Sequence, residues 1–310
     1  LPYDSVDELR RAYRFADLQS FLDLYEGGAQ VLRTEQDFYD LTRAYLDRAR
    51  RQGVVHAEVM VDPQLHTGRG VPLAAVVEGL CAALEQARRE HAVTSRLILS
   101  FLRDRGADEA MHTFDQARPW LDRFAAIGLD SAEAGHPPAA FAEVYAAARA
   151  EGLSAVAHAG EEGPPAYVWQ ALDVLRVDRV DHGVRALEDP RLLERLATDQ
   201  VPLDVCPLSN VALGVVPDLG AHALPALLDA GVLVTINSDD PAYFGGYVED
   251  NYVAVAQAFA LDRAAVVALV RNSFTASLLS RAEIDGHLAR LDGLQAPAAG
   301  DQGAEGAGVG

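Results

Sequence analysis

Seven short apolar runs separated by helical stretches constrain this chain more than any other feature. The runs are Val54–Val61, Arg96–Phe101, Ala125–Ser131, Ser154–Ala159, Arg179–His182, Pro202–Cys206 and Val232–Asn237. Between them, apolar residues recur at helical spacing over Pro72–His91, Ala107–Arg123, Pro138–Glu151, Tyr167–Leu175, Pro190–Asp199 and Ala223–Ala230. Strands that alternate with helices pair in parallel, because each crossover returns the chain to the same end of the sheet. The runs are apolar almost throughout rather than on alternate residues, so both faces of the sheet are covered. Helical spacing resumes over Tyr252–Ala260, Ala264–Asn272 and Leu278–Leu291. Two helices precede the first run, one capped near Ser20-Phe21-Leu22 and one over Gln36–Arg51.

The polar residues Asp62, Arg103, Glu133, His158, His182, Ser209 and Asp239 fall at the C-terminal ends of these runs or just beyond them. Such a distribution matches a TIM-type (β/α)8 barrel, whose chemistry gathers at that end. An open doubly wound sheet is the competitor, but no glycine-rich phosphate loop is present to support it. A closed barrel needs eight strands and seven are visible; the eighth would precede the opening helices. Residue 1 is Leu rather than Met. The expectation is an α/β barrel lacking its first strand in this chain, with residues 1–295 as one domain. Residues 296–310 are nearly all Ala, Gly, Pro, Gln, Asp and Glu, which is the composition of a disordered tail.

Charge narrows the partners. The formal net charge is −20, from 46 acids against 26 bases. Nucleic acid and anionic membranes both demand clustered positive charge and are excluded; a neutral or cationic small molecule suits an acidic protein. No apolar run approaches the roughly 20 residues of a membrane span. The two cysteines, Cys81 and Cys206, read as core thiols and form no disulfide framework, which fits a reducing cytoplasm.

His158, Glu161, His182, Asp239 and Asp240 stand at three strand ends. Imidazole nitrogens and carboxylate oxygens from separate strands can converge on one zinc ion, and a neighbouring carboxylic acid can then donate a proton. His158 alone reads equally well as a buried histidine beside an acidic turn, and Asp239-Asp240-Pro241 as a helix cap. Of the remaining histidines, His56 reads as core and His66 as part of the loop after the first run. His91, His112, His222 and His287 read as helix-surface or helix-end residues, and His136 as a neighbour of the site mouth.

Taken together, His158-Ala159-Gly160-Glu161, Asp181-His182-Gly183, Cys206-Pro207-Leu208-Ser209-Asn210 and Ser238-Asp239-Asp240-Pro241 resemble the adenosine/adenine deaminase family of metal-dependent hydrolases. The resemblance runs from about Leu1 to Leu279. It implies a (β/α)8 barrel with one Zn2+, held in part by His158 and Asp239. It implies that Glu161 protonates the purine ring, that His182 orients the attacking water and helps deprotonate it, and that Asp240 hydrogen-bonds the imidazole-ring nitrogen. Adenosine deaminases of the family carry a glycine three residues after the aspartate that corresponds to Asp130. This chain has Glu133 there, a carboxylate expected to accept the N–H of a free base and to crowd a ribose. The resemblance therefore implies hydrolysis of adenine to hypoxanthine and ammonia in purine salvage.

Two other readings stand beside it. One is a deaminase of adenosine or another aminopurine; the other is an inactive homologue that binds purines. The family's zinc is also held by a His-x-His pair on the first strand, and this chain contains no His-x-His. Two ligands are too few for a tight zinc site. The expectation is a chain that is metal-poor, weakly active and less stable than a completed barrel. Oligomeric state is left open.

Overall fold

The computed structural model describes residues 3–295; the expected tail, 296–310, lies outside them. Three helices come first: α1 (Val6–Ala12), α2 (Leu18–Ala29) and α3 (Glu35–Arg51). Then β1 (His56–Val61) leads through α4 (Pro63–Thr67) and α5 (Leu73–His91) to β2 (Thr94–Leu102), and α6 (Ala107–Ala117) to β3 (Phe124–Asp130). The pattern repeats with α7 (Ala142–Ala150), β4 (Ser154–Ala159), α8 (Pro165–Gln170), β5 (Arg179–His182), α9 (Pro190–Asp199) and β6 (Leu203–Val205). Helices α10 (Pro207–Ala212) and α11 (Leu224–Asp229) precede β7 (Val234–Ile236), and α12 (Val248–Ala258), α13 (Arg263–Thr275) and α14 (Arg281–Gln295) close the described chain.

All six strand pairs are parallel and the spatial order is the chain order, β1 to β7. Each strand lies beside the one before it, the order of a barrel sheet rather than of a doubly wound one, whose strand order reverses. The sheet curls as a barrel sheet does, yet among the described residues β1 pairs only with β2 and β7 only with β6. A cavity of about 1050 Å3 opens between those two edges. It runs from Asp62, Asp130, His158 and Asp239 at the C-terminal strand ends down to His56, Glu58, Arg179 and Thr235.

The larger core lies between the sheet and its helices. Leu97, Leu99, Ile127, Leu129, Val180, Leu203 and Val234 on the strands meet Val76, Phe114, Val144, Leu192 and Leu227 on the helices. Its continuity explains why the runs are apolar without alternation. Helices α3 and α5 touch where Gly79 faces Glu35; a Cβ at Gly79 would stand 2.3 Å from the Glu35 carbonyl oxygen. Among the described residues no helix is long and apolar enough to cross a membrane.

Several local expectations change. The cap of α2 is Asp17, whose carboxylate accepts from the Ser20 N–H, while the Ser20 hydroxyl accepts from the Asp17 N–H; Ser20 is the third helical residue of a capping box, not the cap. His66 sits in α4 rather than in a loop. It is buried, edge-on to Phe38 and bonded to Arg69, which itself donates to the Ala29 carbonyl. His222, read as a helix-surface or helix-end residue, ends a 3-10 turn over Leu219–Ala221 and is buried there, just before α11.

Candidate active site

A strand sends successive side chains to opposite faces. On β4, Ala155, Ala157 and Ala159 join the outer core, which leaves His158 at the inner face. On β5 the same alternation turns Arg179 and Asp181 inward and Val180 outward. His182 would follow Val180, but its backbone is left-handed, φ 64°, and its ring comes to 4.8 Å from that of His158. Asp239 is likewise left-handed, φ 54°. Non-glycine residues rarely take that conformation, and where they do the surrounding structure enforces it. Both occur here at residues singled out for chemistry.

The two histidines have opposite electrostatics. Burial works to lower the pKa of His158, but Asp181, with Nδ1 3.4 Å from its carboxylate, carries it up to about 10, helped by Asp130 and Glu161. Burial and the neighbouring His158 charge lower that of His182. A bonded chain sets the tautomer of His182. His222 Nδ1 accepts from the Leu224 N–H at 3.0 Å, so its Nε2 donates to Asn210 Oδ1 at 3.2 Å. That leaves the Asn210 amide nitrogen to donate to His182 Nδ1 at 3.4 Å. The neutral His182 then carries its proton on Nε2, which faces Asp239 at 3.8 Å.

The acids are held in different states. Glu161 is buried, with its carboxyl 3.6 Å from His182 Nδ1. Burial, and then the charge of Asp239, raise its pKa well above the usual carboxylate value, which favours its protonated form. Asp240 is raised well above that value too, by burial and by Asp239. Asp181 is held low by His158 and Arg179, against its own burial. Asp62 and Asp130 complete the wall; both are raised by burial, and one lowers its charge for the other's sake.

The donor set fits a divalent cation. His158 Nδ1, Glu161 Oε1, Asp62 Oδ1 and Asp130 Oδ1 are buried without hydrogen-bond partners, a state that folded proteins avoid unless something else satisfies the groups. His182, Cys206 and Asp239 offer ligand atoms within 4.8 Å of one another, a nitrogen, sulfur and oxygen combination that zinc accepts. The sequence pointed to His158 with Asp239. The structure brings Asp239 to mutual ligand distance with His182 and Cys206, while His158 turns its Nδ1 toward Asp181.

Glu133 is placed differently from its expected role. It is 1% exposed and absent from the cavity lining. Its oxygens accept the main-chain N–H groups of Gly160, Glu161, Glu162 and Gly163. A base in the cavity cannot reach them. His56 begins β1 and His136 lies beyond β3, where its carbonyl accepts from Arg103.

The sequence reading named Asp181, Asn210 and Arg103 but gave them no role. Asp181 and Asn210 stand inside segments that carried the resemblance, yet nothing in their spacing shows that they orient His158 and His182. Arg103, 1% exposed, donates to the carbonyls of both His136 and His158. An aromatic wall from Phe21 and Tyr25 of α2, with Tyr243 and Phe244, lines the mouth; a flat heteroaromatic ring stacks on such a surface.

Comparison with known proteins follows the same line. The family model described as adenosine deaminase matches residues 1–293. An adenine deaminase of Streptomyces coelicolor is 59% identical over 301 residues, 96% of this chain and 88% of that protein. One from Paraburkholderia xenovorans is 55% identical over 296 residues, covering 94% and 84%. The crystal structure of an adenine deaminase from Arthrobacter aurescens superposes with a TM-score of 0.93 at 48% identity, covering 96% of this chain and 91% of that one. An amidohydrolase from Burkholderia ambifaria, solved with bound Zn, gives 0.81 at 27% identity, covering 85% and 74%.

Proposed function

Because the chain belongs to the adenosine deaminase family, we infer that it hydrolyses adenine to hypoxanthine and ammonia at the site described, with zinc as the metal. Likeness to adenine deaminases at 59% and 55% identity supports the choice of free base. One observation carries the chemistry: Glu161 and Asp240, two carboxyl groups whose pKa burial raises, face one cavity together with His158, His182 and Asp239.

Asp239 would hold the ion together with His158, which would have to give up its proton and its approach to Asp181 to do so; when bound, the ion lowers the pKa of a water molecule and makes it nucleophilic at neutral pH. Glu161, already protonated, gives its proton to the ring nitrogen beside the amino-bearing carbon, so that charge does not build up on the ring as water adds there. His182 points Nε2–H toward Asp239 and orients an oxygen lying between them. Asp240 donates its proton in a hydrogen bond to the imidazole-ring nitrogen and fixes the base in the plane of the aromatic wall. Of the two protons the water gives up, one passes by way of the Asp239 carboxylate to the amino group, which leaves as ammonia, and the other restores Glu161; the ring nitrogen keeps the proton it received and the carbon keeps the oxygen of water.

The test is ammonia release from adenine and from adenosine by this chain with zinc supplied, together with calorimetric binding of both purines. Adenine should be turned over, or bound where turnover is too slow to detect, at least about 100-fold better than adenosine, a gap of roughly 3 kcal/mol. Equal handling of both, or no interaction with adenine, overturns the reading.

A further inference from the structure

We propose that Glu133 is a positioning residue: its carboxylate is the internal anion around which the turn Gly160–Gly163 folds, and through that turn it sets the place of Glu161. The proposal rests on the reading above for the role of Glu161, but its structural half stands without it.

The geometry is specific. The Gly160 N–H donates to Glu133 Oε1 at 2.6 Å, and the N–H groups of Glu161, Glu162 and Gly163 donate to Oε2 at 3.0, 2.9 and 2.7 Å. Four successive amides converge on one carboxylate, the concavity that consecutive N–H groups form around an anion. Hydrogen bonds to a charged oxygen are the strong ones; three of the four are buried here and the one from Glu162 is half-buried. The turn is shaped to allow this approach. A Cβ at Gly163 would stand 2.5 Å from Glu133 Cδ, and one at Gly160, where φ is 75°, would stand 2.7 Å from Val168 Cγ2. From the other side Arg185 grips the same turn: its N–H donates to the Gly160 carbonyl at 2.9 Å and its guanidinium to the Glu162 carbonyl. Glu161 is thus carried by a segment pinned on both sides, and its carboxyl lies 3.6 Å from His182 Nδ1.

A second consequence concerns charge. Among the described residues the carboxylate of Glu133 makes no direct ion pair; the amides meet it at hydrogen-bond distance, and the charges of Arg103 and Arg185 act on it from farther away. An uncharged residue of the same shape would hold the turn less well, because even with its amide oxygen at the Oε2 position its nitrogen at the Oε1 position would point a hydrogen atom at the Gly160 N–H, and the remaining bonds would lose their charge.

Glu133→Gln and Gly163→Ala test this. Amide hydrogen exchange is followed across residues 160–163 and, as a control, across Ile98–Phe101 of β2, and adenine kinetics are measured on the same samples. In both variants exchange over 160–163 should speed up at least about tenfold with β2 unchanged, since one lost charged hydrogen bond already exceeds the 1.4 kcal/mol that a factor of ten requires. The kcat for adenine should fall about 100-fold, the cost of an acid displaced by about 1 Å, while KM moves less than about threefold. Protection that survives Glu133→Gln overturns the proposal. So does a rise in KM with kcat retained, which marks a residue that touches substrate. Loss of protection in a chain that does not deaminate adenine upholds the anion role and refutes the reaction instead. Should Glu133→Gln not fold, Gly163→Ala, which leaves the carboxylate in place and crowds its approach, carries the same test.

Discussion

Asn210 and His222 fix His182 through a single bonded chain, and His222 does so only while it is neutral. Its Nδ1 lone pair accepts the Leu224 N–H, so a proton there would put two donors face to face. Burial and the nearby His182 push the His222 pKa down to about 4, and burial with the Arg69 charge pushes that of His66 down to about 4 as well. In both cases the folded pKa lies below the unfolded value near 6.5. As pH falls through 6.5 the unfolded chain takes up protons that the folded chain refuses, so stability present above 6.5 is lost between 6.5 and 4. Two such groups give a slope of up to about 2.7 kcal/mol per pH unit. Urea unfolding at pH 7, 6 and 5 should show it, and His222→Gln should remove about half; an unchanged slope in that variant would exclude His222 as the source. From the sequence His222 read as a helix-end residue. No local pattern separates a histidine that ends a helix from one buried against an asparagine twelve positions earlier. His158, Glu161, His182 and Asp240 were legible because each stands at the end of an apolar run, whereas Glu133 stood in the same kind of place and turned away from the cavity.

Elements were more legible than residues. Every expected strand exists, two with the expected bounds and the others with edges shifted by at most two residues, because an apolar run of four to eight residues between helical patterns has few other fates. Shifts cluster where helices change pitch: the stretch expected from Tyr167 to Leu175 is α8 followed by a π-turn over Ala171–Leu175, and that from Pro138 to Glu151 opens with a 3-10 turn before α7. Side-chain periodicity over one turn does not distinguish these. Glycine in mid-helix was equally silent, although at Gly79 it decides how α3 meets α5. Alanine there would gain about 1 kcal/mol of helix propensity but would place its Cβ 2.3 Å from Glu35 O and 2.9 Å from Phe38 Cβ. Overpacking of this kind costs about 1–3 kcal/mol, and because the nearer atom is backbone the upper end applies. Gly79→Ala should therefore lower stability by about 1–2 kcal/mol in chemical denaturation. A variant as stable as the parent, or more so, would mean that the two helices slide apart freely.

Across the whole molecule the barrel interior is held by charge as much as by packing. Arg179 is buried and reaches Glu58 on β1, Asp181 at 3.6 Å and Asp204 at 2.6 Å. One guanidinium faces three carboxylates. Opposed by burial but paired with Arg179, Glu58 is held down to about 2, while burial and competition from its neighbours push Asp204 up to about 6. Replacing Arg179 with Met removes the cation and leaves the acids behind, so the variant should lose about 3–5 kcal/mol, read as the shift of the urea midpoint; a loss below about 1 kcal/mol would show that the acids neutralise themselves. The seven strands pair only with their neighbours in the chain, and that order has a kinetic reading. A sheet assembled from such pairs requires no distant encounters, and contacts that are near in sequence form fastest. Glu58 is one exception, as is Arg96 of β2, which pairs with Glu283. Glu58 bonds Arg179 from 121 residues away and accepts the N–H of Leu278 from 220 residues away. A chain emerging from the ribosome can lay down each strand beside the last, but this carboxylate stays without its final partner until residue 278 has been made, so seating Glu58 is among the last events of folding.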